Sequence, residues 1–156
     1  MTPTREYHTV DKSTWGDGPW QSEPDKRQWQ DEATGLPCLI VRGPSGALCG
    51  YVGVPSTHPE HGADYDHVGV EVHWGLTFSD SCAHSAEDTG ICHVPGEGDP
   101  DNVWWFGFDC AHSGDFCPRR ESTLRHLGLG RADVYRDISF VEREVTSLAK
   151  QLAAIA

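Results

Sequence analysis

The chain has 156 residues, a formal net charge of −12, 37% hydrophobic residues, 17 glycines and 10 prolines. That length suits one domain with a single core. The turn-rich composition argues against a helical bundle, and no apolar run approaches the ~20 residues of a membrane-spanning helix.

The charge is unevenly placed. Between Arg42 and Arg119 there is no Lys or Arg, yet this interval holds twelve of the acids, seven of the nine histidines and five of the six cysteines. Phosphate contacts need basic side chains, so direct nucleic-acid binding by this region is not expected. Its carboxylates must face solvent or find His⁺, backbone N–H groups or a bound cation.

Residues 1–35 read as an irregular segment that wraps the domain, turn-rich at Trp15-Gly16-Asp17-Gly18-Pro19-Trp20, with Trp15, Trp20 and Trp29 tucked against it. The N-terminus lacks an apolar h-region. An export signal is therefore not expected, and the protein is placed in a reducing cytoplasm, where cysteines act as buried thiols, metal ligands or nucleophiles.

Residues 36–156 read as a single α+β domain. Pro37–Val41 and Ala47–Val54 are predicted strands joined by the turn Gly43-Pro44-Ser45-Gly46. Cys38 and Cys49 on the two arms are assigned to packing. Pro55–His67 is a loop by composition and carries His58, His61, Asp64, Asp66 and His67. Val68–Phe78 alternates apolar and polar, which predicts a third strand with Glu71 and His73 on one face. Ser79–Asp101 is a long polar excursion carrying Cys82, His84, Cys92 and His93. Connections of that length usually have a function or a tether, and a metal would be one such tether.

Val103–Phe108, the run VWWFGF, is a predicted fourth strand buried on both faces. It delivers Asp109, Cys110, His112 and Asp115 into a Gly-containing turn. Near the C-terminus, Ser139-Phe140-Val141-Glu142 reads as a capping box. The stripe Val141, Val145, Leu148, Leu152 and Ile155 predicts an amphipathic helix on the sheet. The fold expected is α+β: a mostly antiparallel sheet of about four or five strands with that helix on one face.

Two chemistries follow from these residue types. Cys82, Cys92, His93, Cys110 and His112, with His84 and Cys117 beside them, are candidate ligands for zinc or another divalent metal, although none has C-x₂-C spacing. A closed four-ligand site would be structural. Three ligands with an open position would activate water, with Asp109 or Asp115 as base and His73 close by. Alternatively, Cys110 is a thiol nucleophile paired with His112. The same side chains also fit ordinary buried thiols and surface imidazoles. Gly96–Asn102 is oxygen-rich without EF-hand spacing, and Arg119-Arg120 could hold an anion. No P-loop, dinucleotide fingerprint or G-x-S-x-G elbow is present.

Gly50-Tyr51-Val52-Gly53-Val54-Pro55, His73-Trp74-Gly75-Leu76-Thr77-Phe78, Ile91-Cys92-His93 and the run Trp104 to Asp115, with the terminal helix, resemble uncharacterised small proteins of tailed bacteriophages and prophages. The resemblance spans about residues 36–155. Its one departure is Trp74, where the pattern would place a second Gly. It implies a phage setting, the cytoplasm of an infected bacterium, and brings no activity with it. Two functions are expected. One is a metal-dependent hydrolase with Asp109, Asp115 and His73 as catalytic groups and a small-molecule substrate. The other is a non-enzymatic accessory protein that binds a host bacterial protein or sequesters a ligand, with at most a structural zinc. No membrane partner is expected.

Overall fold

A computed structural model describes residues 1–82, 86–121, 127 and 133–155. The strands are β1 (Arg5–Tyr7), β2 (Lys26–Gln30), β3 (Pro37–Arg42), β4 (Leu48–Pro55), β5 (Phe78–Ser81) and β6 (Val103–Asp109); a C-terminal helix, α1, spans Ile138–Ala153. The strands form one sheet of order β1-β2-β3-β4-β6-β5. Every neighbouring pair is antiparallel. The architecture is α+β as expected, with six strands among the described residues instead of four or five.

The apolar runs of β3, β4 and β6 build the middle of the sheet because both of their faces are covered. On one face Ile40, Leu48, Val52, Phe106 and Phe108 meet Val141, Val145, Leu148 and Leu152 of α1. Each such side chain contributes about 1.5–3 kcal/mol by leaving water. Gly50 allows the helix to approach: a Cβ there would come within 2.6 Å of both Phe108 and Val145. Asp137, not Ser139, caps α1, its side chain accepting the Phe140 N–H at 2.9 Å.

On the other face Leu39, Val41, Tyr51, Val103 and Trp105 pack with Phe78 and Ile91. The long excursion covers them. No metal is needed to fasten it: Lys26 Nζ donates to the carbonyls of Glu87, Gly90 and Cys92 at 2.5, 2.7 and 2.8 Å. Gln28 pairs with the backbone of Val94 in both directions. Cys82 and Cys92 are joined as a disulfide, their Cα atoms 4.9 Å apart. Lys26 is fully buried, and burial pulls its pKa down against the opposing pull of Glu87 and Asp88.

Two expectations are corrected here. The first 35 residues supply β1 and β2 and so extend the sheet. In β2 the inward side chains are the polar Lys26 and Gln28, which hides the strand from any apolar-alternation test. Trp15 and Trp20 do bury, against Phe116. Val68–Phe78 is not a strand; only Phe78 enters one. Its backbone is satisfied elsewhere, because Gln151 on α1 accepts the Glu71 N–H and donates to the Glu71 carbonyl, both at 2.7 Å. Trp74 and Gly75, at φ 59° and 79°, then turn the chain back.

Candidate functional site

The last residue of β6 is Asp109. The chain then turns through Ala111-His112-Ser113-Gly114, closed by the Asp115 N–H donating to the His112 carbonyl at 2.9 Å. Asp115 returns to make a parallel bridge with Val134. One short turn thus carries two carboxylates and an imidazole, and the two carboxylates have different environments.

Asp115 is 0% exposed. Its oxygens lie 2.9 Å from His73 Nε2 on both sides, 2.9 Å from Arg136 Nε and 3.1 Å from the His112 N–H. Burial alone would raise its pKa, but His73, Arg136 and the His112 N–H outweigh it and hold the carboxyl below its usual range. A carboxylate so thoroughly paired is a poor proton acceptor. It ties the β6 turn, the His73 turn and the segment before α1 into one knot. His73 meets Phe140 edge-on at 5.2 Å, and Arg136 lies over the same ring at 5.0 Å.

Asp109 is more open, with 32% of its side chain exposed, and His112 has 26%. Asp109 Oδ1 accepts the Ala111 N–H at 3.1 Å and Oδ2 accepts the Thr77 hydroxyl at 3.1 Å. His112 Nδ1 is 3.2 Å from Asp109 Oδ1, yet it is buried and off the line a hydrogen bond requires. Hydrogen bonds between catalytic groups are often poorly aligned in ligand-free sites and tighten when substrate binds. Trp74 stacks on the imidazole, centroids 5.3 Å and planes 12° apart.

Two clefts flank the pair. The first, about 370 Å³, lies between the Gly43–Ala47 turn and β5–β6 and is lined by Pro44, Ser45, Tyr51, Thr77, Phe78 and Asp109. The second, about 410 Å³, is lined by His112, Ser113, Gly114, Arg120, Glu121 and Asp133. Ala111 lines both, so Asp109 and His112 sit where they adjoin.

The sulfur ligands expected from the sequence go elsewhere. Cys82 and Cys92 bond to each other. Cys110 and Cys117 are buried in the core beneath α1, where burial pushes both thiols up, so Cys110 is not placed as a nucleophile. His93 is buried edge-on against Trp105 at 5.3 Å. Cys82, Cys92, His93, Cys110 and His112 are therefore spread over three places and do not form one ligand set. His84 lies outside the described residues. Among the described residues, only Asp64, Asp66 and His67 bring three ligand atoms within 4.8 Å of one another, and all three are exposed.

Of the expected catalytic groups, His73 and Asp115 meet directly, while Asp109 meets His112. Sequence reasoning missed Arg136, Trp74 and Tyr51 as members of this neighbourhood. Only Trp74 carried a signal, since it precedes Gly75 in a turn; its own backbone is left-handed at φ 59°, a conformation that favours Gly. Comparison with protein-family models, curated proteins and solved structures finds no match for this chain.

Proposed function

We propose that the protein is a small acid–base hydrolase in which His112 moves the proton and Asp109 orients it. The observation that carries this reading is the 3.2 Å approach of His112 Nδ1 to Asp109 Oδ1 at the junction of two clefts. With Nδ1–H directed at Asp109, Nε2 is the free base. It takes a proton from water as the water attacks a carbonyl, and the carboxylate stabilises the imidazolium that results; the tetrahedral adduct then collapses, the bond to the leaving alcohol or amine breaks, and the imidazolium returns its proton to that group. Arg120 in the second cleft is a cation available to a developing oxyanion. His73, Asp115 and Arg136 are positioning residues that fix the turn. The reading needs no metal, because the imidazole supplies the base. As the resemblance implies, the setting is an infected bacterium and the substrate a small molecule of the host; the Cys82–Cys92 disulfide does not fit the reducing cytoplasm expected from the sequence.

A panel of small nitrophenyl esters and anilides tests it. His112→Gln should lower turnover about 10²–10⁴-fold while leaving the unfolding midpoint unchanged. Turnover equal to that of the unsubstituted chain would remove the reading.

The off-line geometry at His112 Nδ1 favours one second reading, a ligand-binding accessory protein whose clefts hold a host molecule without chemistry. Tight binding with no turnover of any panel member would select it.

A further inference from the structure

We infer that the cleft between the Gly43–Ala47 turn and β5–β6 binds a small organic cation: an amine carrying an apolar, ring-sized body. The inference names the substrate class of the site proposed above and takes its catalytic meaning from that reading; the binding itself does not depend on it.

The lining sets the ligand's chemistry. Tyr51 and Phe78 meet edge to face at 5.4 Å, and Pro44, Ala47 and Phe108 extend the apolar wall. Tyr51 lies against the strand because position 107 is Gly: a Cβ there would sit 2.2 Å from its ring. About 370 Å³ of space is enough for one ring and a short arm.

Among the described residues, the only charged one lining this cleft is Asp109. His112 approaches it as an ion-pair partner, and the Arg119 guanidinium at the rim of the cleft donates to the Pro44 carbonyl at 3.4 Å. The other ionisable lining groups are held neutral. Burial pushes the Cys49 thiol up to about 12 and raises the Tyr51 hydroxyl as well. A single carboxylate at the edge of a low-dielectric cleft concentrates a negative potential there, and the net charge of −12 adds to it at longer range. An ammonium satisfies the carboxylate as a charge-assisted donor, while the aromatic and Pro44 wall takes the apolar body beside it. An anion meets repulsion from Asp109, and among the described lining residues there is no cationic side chain to offset it.

Three probes of one shape separate the alternatives: benzylamine, benzyl alcohol and benzoate, titrated into the oxidised 156-residue chain and followed by amide NMR shifts. Benzylamine should move Tyr51, Thr77 and Asp109, and bind about tenfold tighter than benzyl alcohol, the worth of one charge-assisted bond. Benzoate should bind more weakly than either. Asp109→Asn should erase the preference for amine over alcohol, and His112→Gln should keep it. Equal binding of amine and benzoate, or amine shifts confined to other surfaces, would overturn the inference. If Asp109→Asn fails to fold, the three-probe comparison on the unsubstituted chain decides alone. The two readings fail separately. Amine binding without turnover of any amino-ester removes the hydrolase and keeps the cation site. Turnover that treats amino- and hydroxy-esters alike removes the cation site and keeps the hydrolase.

Discussion

Trp74 stacks on His112 at 5.3 Å and 12° while its own backbone sits at φ 59° and 59% of it is exposed. A left-handed backbone costs a non-Gly residue about 1–2 kcal/mol. The residue is thus strained and half in solvent, and its contact is with the imidazole proposed to move protons. Trp74→Gly should relieve the strain and lose the stack, with the added freedom of the unfolded Gly costing about 0.5–1 kcal/mol. These effects nearly cancel, so stability should change by less than about 1 kcal/mol, while esterase turnover falls because the His112 ring is no longer held. Urea unfolding and turnover, measured on the same sample, check this. A large loss of stability would make Trp74 a structural residue only.

The two carboxylates of the β6 turn should behave oppositely. Asp115→Ala leaves His73 and Arg136 without their buried partner and should cost about 3 kcal/mol or more. Asp109→Ala, in a half-open setting, should cost less than about 1 kcal/mol and remove turnover. Denaturant melts of the two variants decide, and equal destabilisation would dissolve the distinction between knot and working pair.

Acid should weaken the fold through identified groups. Burial would raise the Asp25 carboxyl, but Lys12, the Val10 N–H and Arg42 bring it down to about 2. The unfolded value is near 3.9. A carboxylate depressed in the folded state stabilises at pH values above its unfolded pKa, and that contribution disappears as pH falls from about 4 through about 2. Asp115, also depressed, adds in the same sense. Asp25→Asn should be less stable at pH 7 and show a flatter stability profile below pH 4. An unchanged acid limb would contradict this assignment.

The sulfur chemistry is countable. The purified, unreduced, unfolded chain should expose four titratable thiols, those of Cys38, Cys49, Cys110 and Cys117, and six after reduction. Closing the short Cys82–Cys92 loop is worth about 2–3 kcal/mol, so reduction should lower the unfolding midpoint. Elemental analysis should find well under one zinc per chain. Six thiols with stoichiometric zinc would instead support the metal reading of the sequence.

The middle strands were legible because β3, β4 and β6 bury both faces and so appear as unbroken apolar runs. The helix was legible from its stripe, though the Asp137 cap was not, since Ser139 to Glu142 imitates a capping box two residues too late. β2 was invisible because Lys26 and Gln28 point inward to hold backbone carbonyls. Val68–Phe78 misled because its alternation is real, but Gln151 substitutes for a neighbouring strand and Trp74 reverses the chain. At the site, the crowding of Asp109, His112 and Asp115 follows from their closeness in sequence. Arg136 could not be found that way: it reaches Asp115 from 21 residues on, and nothing local marks it. The cysteines misled because residue type alone does not distinguish a disulfide, a core thiol and a ligand.

The central claim is that Asp109 sets the protonation pattern of His112, and ¹⁵N NMR of the His112 ring addresses it directly. A neutral imidazole carrying its proton on Nδ1, with Nε2 bare, and reverting to the other tautomer in Asp109→Asn, is the predicted result. A proton on Nε2 that ignores the substitution at Asp109 would contradict it.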